Sequence, residues 1–233
     1  TTMLRKLLML AGCTLSLSGL AQPIEIGDLP VCTSLTPAAI ALDNSPVQLD
    51  VRVLLDGVTE QRGEAIMSIA AELYSPLGIT LASSFEAVQF TGAAAADLID
   101  EAKVYYGGVR PDGIDVVYVL TTKDMGSLAG LADCIGGVKY ADRAFGVGTA
   151  IDSTPLDLLL YTLYTDTAAR TTAHEIGHLL GAHHHYANCV ESALNVGGAP
   201  CSTMFNISGF DSGVFSLLNG VVIRGHTQAY AQP

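Results

Sequence analysis

Hydrophobic and polar positions begin to follow a rule at residue 47. Val47, Leu49, Val51 and Val53 alternate with Gln48, Asp50 and Arg52, a period of two that predicts a strand over 47–55 with one face buried. The period then lengthens. Ile66, Ile69, Ala70 and Leu73 recur at helical spacing, predicting a helix over 60–74 that Ser75-Pro76 closes. A second strand is expected over 79–90, weakened at Ser83-Ser84, and an Ala-rich helix over 93–105. Residues 114–121 form a strong apolar run with Val and Tyr, the pattern of a buried strand. Shorter strands are expected over 128–138 and 145–151. A helix over 166–180 would turn Ala169, Thr172, Ala173, Ile176 and Leu180 to the core, and 214–223 would form a last helix broken by Gly220. Strands alternating with helices, without an internal repeat, predict an α/β chain with a mixed sheet under helices.

Composition sets bounds on this picture. Of 233 residues 49% are hydrophobic, enough for one sizeable core, and the domain is expected over 47–233. The formal net charge of −12 and the lack of a basic patch argue against a nucleic-acid partner. Upstream, Arg5-Lys6 precedes an apolar run from Leu7 to Leu20, and Gly19-Leu20-Ala21 offers small residues for cleavage. Residues 1–21 therefore read as a signal peptide of a secreted or periplasmic protein, the run being too short and too interrupted for a transmembrane span. Leu10-Ala11-Gly12-Cys13 supplies an alternative, a lipoprotein box with an anchor at Cys13. Residues 22–46, rich in Pro, Ser and Thr, read as an N-terminal arm or short leader. Removal of a leader would leave Cys32, Cys134, Cys189 and Cys201, an even set that suggests two disulfides with three possible pairings. A bridge between Cys189 and Cys201 would leave Cys32 with Cys134.

The chemistry is concentrated in His174-Glu175-Ile176-Gly177-His178-Leu179-Leu180-Gly181-Ala182-His183-His184. Every fixed position of H-E-x-x-H-x-x-G-x-x-H is filled. His174 and His178, four apart on a helix, share a face and can grip one metal ion. Gly181 can adopt the left-handed conformation that ends a helix, and the turn would return His184 as third ligand. His183 and His185 flank it and are expected to be solvated or to support the ligands from behind. Three imidazoles leave zinc an open position, the mark of a catalytic rather than a structural ion. Glu175 stands beside them, placed to act on water as a general base. One Zn2+ per chain is the expected cofactor. Asp152, Asp157 and Asp166 could serve a structural Ca2+, but their spacing fits no loop that supports it. His226, far from the motif, is expected at the surface.

The extended motif resembles the metzincin zinc peptidases. That clan carries a methionine turn below the metal, and Met204, in Cys201-Ser202-Thr203-Met204-Phe205, fits the place. Glu72-Leu73-Tyr74-Ser75-Pro76-Leu77-Gly78-Ile79, Leu128-Ala129-Gly130-Leu131-Ala132 and Gly136-Gly137-Val138 look like the reprolysin (adamalysin-like) branch. The resemblance covers roughly 47–210. It implies a five-stranded mixed sheet with an active-site helix and a Met-turn. It also implies a zinc endopeptidase acting on protein or peptide substrates, here expected as a monomer. By resemblance, a peptide would lie along Leu128, Ala129, Gly130, Leu131 and Ala132, and 205–209 would wall the specificity pocket; Phe205 and Ile207 read equally as core. Clan proenzymes often block the metal with a leader thiolate, a second reading for Cys32. The chain departs from the branch at His185, where the pattern has Asp, and from the astacin and serralysin branches at Asn206, where they have Tyr. An alternative from another class is a catalytically silent binding protein on the same fold; the intact Glu175 argues against it.

Overall fold

The computed structural model describes residues 29–33, 45–150, 161–184, 202–204 and 213–231. Its elements run in the order β1 (Val47–Asp56), α1 (Glu60–Tyr74), β2 (Ile79–Val88), α2 (Ala95–Tyr105), β3 (Val116–Thr121), β4 (Gly130–Ala132), β5 (Phe145–Thr149), α3 (Tyr161–Leu179) and α4 (Leu217–Tyr230). The five strands form one mixed sheet in the order β2-β1-β3-β5-β4. Four are parallel. β4 alone runs antiparallel, pairing Gly130 with Gly148, Leu131 with Val147 and Ala132 with Gly146, so it forms an edge.

Each strand sends alternate side chains to opposite faces, and two core layers result. One face, with Val51, Val53, Tyr118 and Leu120, packs under α1 and α3 against Ile66, Ala173 and Ile176; the other, with Leu54, Val117, Val119 and Val147, packs on α2. Burial on both sides explains why β3 reads as an unbroken apolar run. Thr59 caps α1, its Oγ1 accepting from Arg62 N. At the far end Tyr74 Oη donates to the Ala173 carbonyl at 2.6 Å, tying α1 to the helix that carries the histidines.

Several expected boundaries move. The strand expected over 128–138 shortens to three residues, because Asp133 N closes the ladder on Phe145 O and a 3-10 turn follows at Gly137–Lys139. α3 starts at Tyr161 rather than 166. The Ser83-Ser84 pair does not interrupt β2. The last helix continues through Gly220. There a Cβ would come within 2.9 Å of Leu77, so the glycine serves close packing rather than a break.

In the arm, Val31 pairs with Ile135, and a disulfide joins Cys32 to Cys134. That bond occupies the thiol that the switch reading of Cys32 requires. The signal peptide, Cys13, Asp152, Asp157, His185, Cys189, Cys201 and the stretch 205–209 with Asn206 lie outside the described residues, as does any pairing of Cys189 with Cys201. No described helix is long and apolar enough to cross a membrane.

Candidate metal centre

α3 turns His174 and His178 to one side, and the chain doubles back at Gly181, whose φ of 91° lies in the left-handed region that glycine adopts without strain. The turn is closed by Gly181 N donating to His178 O and Ala182 N to Gly177 O. It delivers His184 opposite the other two. Asn219, buried on α4, holds the returning segment from behind: His183 N donates to Asn219 Oδ1 at 3.1 Å, and Asn219 Nδ2 donates to His183 O at 3.3 Å. His183 thus uses its main chain on α4 rather than its ring at the centre.

The three imidazoles present Nε2 to one point. The separations are 3.0 Å for His174 and His184, 3.0 Å for His178 and His174, and 3.1 Å for His178 and His184. The other ring nitrogens fix the tautomers. His174 Nδ1 donates to the Thr203 carbonyl and His178 Nδ1 to the Ala182 carbonyl, each at 2.8 Å. Both Nε2 atoms therefore carry lone pairs rather than hydrogens. Burial, and then the neighbouring His184, lower His174 to a pKa of about 3; burial, and then His174, hold His178 well below the usual range, so neither ring is cationic near neutral pH. Lone pairs facing each other at this distance repel unless a cation stands between them. Tetrahedral zinc with imidazole bonds of about 2.0–2.1 Å sets its ligand nitrogens roughly 3.3 Å apart, so the donor set and spacing fit. Among the described residues these three histidines are the group able to hold a metal; Asp152 and Asp157, named for a calcium ion, and the side chain of Asp166 lie outside them.

Glu175 is fully buried beside the three histidines. Its side chain lies against the edge strand at Gly130, where a Cβ would come within 2.7 Å of its Cγ and Oε1. Only glycine lets the carboxyl approach β4 so closely. Met204 lies under the helix: it is fully buried, and a Cβ at Gly177, between the two helical histidines, would come within 2.9 Å of its Sδ. Of the expected peptide-binding stretch, Gly130, Leu131 and Ala132 form β4, with Leu128 and Ala129 leading into it. Thr149 N takes the Ala129 carbonyl and Asp133 N reaches Phe145 O. By alternation the main-chain groups of Gly130 and Ala132 face outward from the sheet.

Two supports had no signal in sequence: the Thr203 carbonyl is main chain, and Asn219 is distant along the chain. His226 corrects an expectation. It is buried rather than at the surface, with its ring packed between Gly136 and Gly181 and edge-on to Tyr230. It lies on the inward face of the last helix, which the fold brings back to the motif. Burial, and then the charges of His183 and Lys139, lower its pKa to about 4. As pH falls below about 6.5 the unfolded chain takes up a proton that the folded ring refuses, so this stability is full above 6.5 and declines toward pH 4. Between pH 6.5 and 4, the unfolding free energy should fall more steeply for wild type than for His226→Gln, by up to about 1.4 kcal/mol per pH unit. Urea titrations in excess zinc measure this, since metal release is common to both proteins and cancels. Parallel curves would contradict the assignment.

The family model described as "Metallo-peptidase family M12B Reprolysin-like" matches residues 55–185. No curated protein matches the chain. Among solved structures it is similar to archaemetzincin from Methanopyrus kandleri, at 18% identity over 78% of this chain and 96% of that one, with a TM-score of 0.49. A zinc-dependent peptidase from Methanocorpusculum labreanum is 12% identical over 74% of this chain and 99% of that one, with a TM-score of 0.45. Myroilysin is 14% identical over 89% of this chain and 100% of that one, with a TM-score of 0.38.

Proposed function

The chain belongs to the reprolysin-like metallopeptidases of family M12B, and on that premise we propose that it is a secreted endopeptidase in which His174, His178 and His184 hold one zinc ion and Glu175 is the general base. That it is a zinc-dependent peptidase, a hydrolase acting on proteins or peptides, follows from the family. The observation that carries the finer assignment is the convergence of three imidazole nitrogens within 3.1 Å of one another, with the buried Glu175 next in sequence to the first.

Zinc, when bound, supplies a Lewis acid that lowers the pKa of a water to about 7 and polarises a carbonyl oxygen. The chain's own residues do the rest. The Nδ1 donors to Thr203 and Ala182 keep the Nε2 lone pairs of His174 and His178 aimed at the ion. A substrate adding as a strand to β4 would bond to the outward groups of Gly130 and Ala132, which brings a scissile amide over the carboxyl of Glu175. Glu175 takes a proton from the attacking water and returns it to the departing amine. Main-chain pairing reads little side-chain identity, so a broad substrate range is expected.

The Cys32–Cys134 bond favours an oxidising compartment, in keeping with the signal-like residues 1–21 and with domain bounds of 47–233 preceded by an arm. The test is digestion of a mixed peptide library by purified protein. Internal cleavages should disappear with a chelator and return with added zinc. Cleavage that persists after the metal is stripped, or release of terminal residues alone, would overturn the endopeptidase reading.

A further inference from the structure

The sheet face beneath α3 is floored with glycine where it nears the histidines. Phe145 and Val147 point to the α2 side, so Gly146 and Gly148 of β5 face α3. Gly130 of β4 stands directly opposite Gly148. The bond from Thr149 N to Ala129 O makes this a pair without mutual hydrogen bonds, in which Cβ positions lie about 4.5–5.5 Å apart.

Two side chains enter this trough from opposite ends. Tyr118 of β3 crosses it: a Cβ at Gly146 would come within 3.2 Å of its ring, and one at Gly148 would overlap Oη. Glu175 descends from α3, and its Oε1 would lie 2.7 Å from a Cβ at Gly130. Hydroxyl and carboxyl therefore occupy adjacent places that two opposed glycines leave open. Tyr118 is fully buried, and the one hydroxyl that reaches Oη is that of Thr172 on α3, at a longer range than a well-formed hydrogen bond. The hydroxyl next to it, Thr172 Oγ1, donates to the Ala168 carbonyl. Burial, and then the charge of Glu175, push the phenol well above its usual range, so Tyr118 keeps its proton. A buried hydroxyl that is incompletely bonded is a cost that phenylalanine, filling the same volume, would not carry.

We propose that Tyr118 is a positioning residue for Glu175, its hydroxyl donating to the carboxylate so that one oxygen is held while the other faces the peptide on β4. This rests on the general-base reading of Glu175. Catalytic hydrogen bonds are commonly long in free enzymes and tighten as the reactive complex forms, which suits an Oη poised beside the carboxyl. A side chain at Gly148 would displace the hydroxyl and one at Gly130 the carboxyl, while Gly146 gives the Tyr118 ring its room.

The experiment is Tyr118→Phe in the zinc-loaded protein, with tyrosine 13Cζ NMR as a readout independent of turnover. Expected are a kcat reduced roughly 10- to 100-fold with KM nearly unchanged, equal zinc content, and a melting temperature equal to or above wild type. The Tyr118 Cζ resonance should move when Glu175 is replaced by Gln, and adding Tyr118→Phe to Glu175→Gln should cost nothing further. An unchanged kcat for Tyr118→Phe, or a Cζ resonance indifferent to Glu175→Gln, overturns the positioning role while the general-base reading stands. A fully active Glu175→Gln overturns both.

Discussion

Glu175→Gln is expected to keep one zinc per chain and the fold while peptide hydrolysis falls by about 10²–10⁴-fold, toward the upper end. The substitution keeps size and shape, which matters at a fully buried side chain pressed against Gly130. It removes only the ability to take a proton. The three ring nitrogens are untouched, and the carbonyls of Thr203 and Ala182 still fix two of their tautomers. The upper end is expected because in the proposed role the carboxyl would serve twice, accepting a proton from water and delivering it to the amine. Zinc analysis beside kcat/KM on one peptide checks this. Lost zinc would mean that Glu175 holds the centre together rather than acting in the reaction. Hydrolysis at the wild-type rate would remove the general base from Glu175, and inactivity of both proteins across a broad library would favour a silent binding protein.

How much of this was legible in sequence depended on the range of the signal. The three-histidine helix and its turn are written within eleven residues, because side chains four apart on a helix and a glycine at its end are local requirements. The amphipathic period marked α1, and the strong apolar run marked β3. The short edge β4 was overextended because its length is set by where Phe145 and Asp133 stop pairing, a contact between segments that no local pattern encodes. Gly220 was misjudged for a similar reason: its missing side chain answers to Leu77 on another element. His226 is far from the motif in sequence, and only the fold brings its ring between Gly136 and Gly181. The supports of the centre, Asn219 and the Thr203 carbonyl, reach it only through the fold. Nor could the sequence show that Gly130, Gly146 and Gly148 line one trough, since that depends on the register of β4 against β5.

The register of the third ligand leads to the second large effect: His184→Ala should abolish stoichiometric zinc, whereas His183→Ala should retain it. Adjacent histidines make this a demanding comparison. Their rings differ in role because the turn at Gly181 and the grip of Asn219 fix the main chain at 183, which leaves Nε2 of His184 3.0–3.1 Å from the other two. His184 is partly exposed, so its truncation removes little packing and the loss should register in the metal rather than in the fold. Loss of a group that merely supports a ligand costs about 10–100-fold in affinity, and loss of a ligand from a set of three should exceed that. Stability follows by linkage. Zinc at 100 times its Kd stabilises the wild type by about 2.7 kcal/mol, and His184→Ala should lose most of that gain while its zinc-free stability stays near wild type. Metal analysis after dialysis and paired melts with and without zinc check both statements. If His183→Ala loses the metal and His184→Ala keeps it, the ligand register is wrong by one residue, and the turn at Gly181 must deliver the chain differently from the structure described.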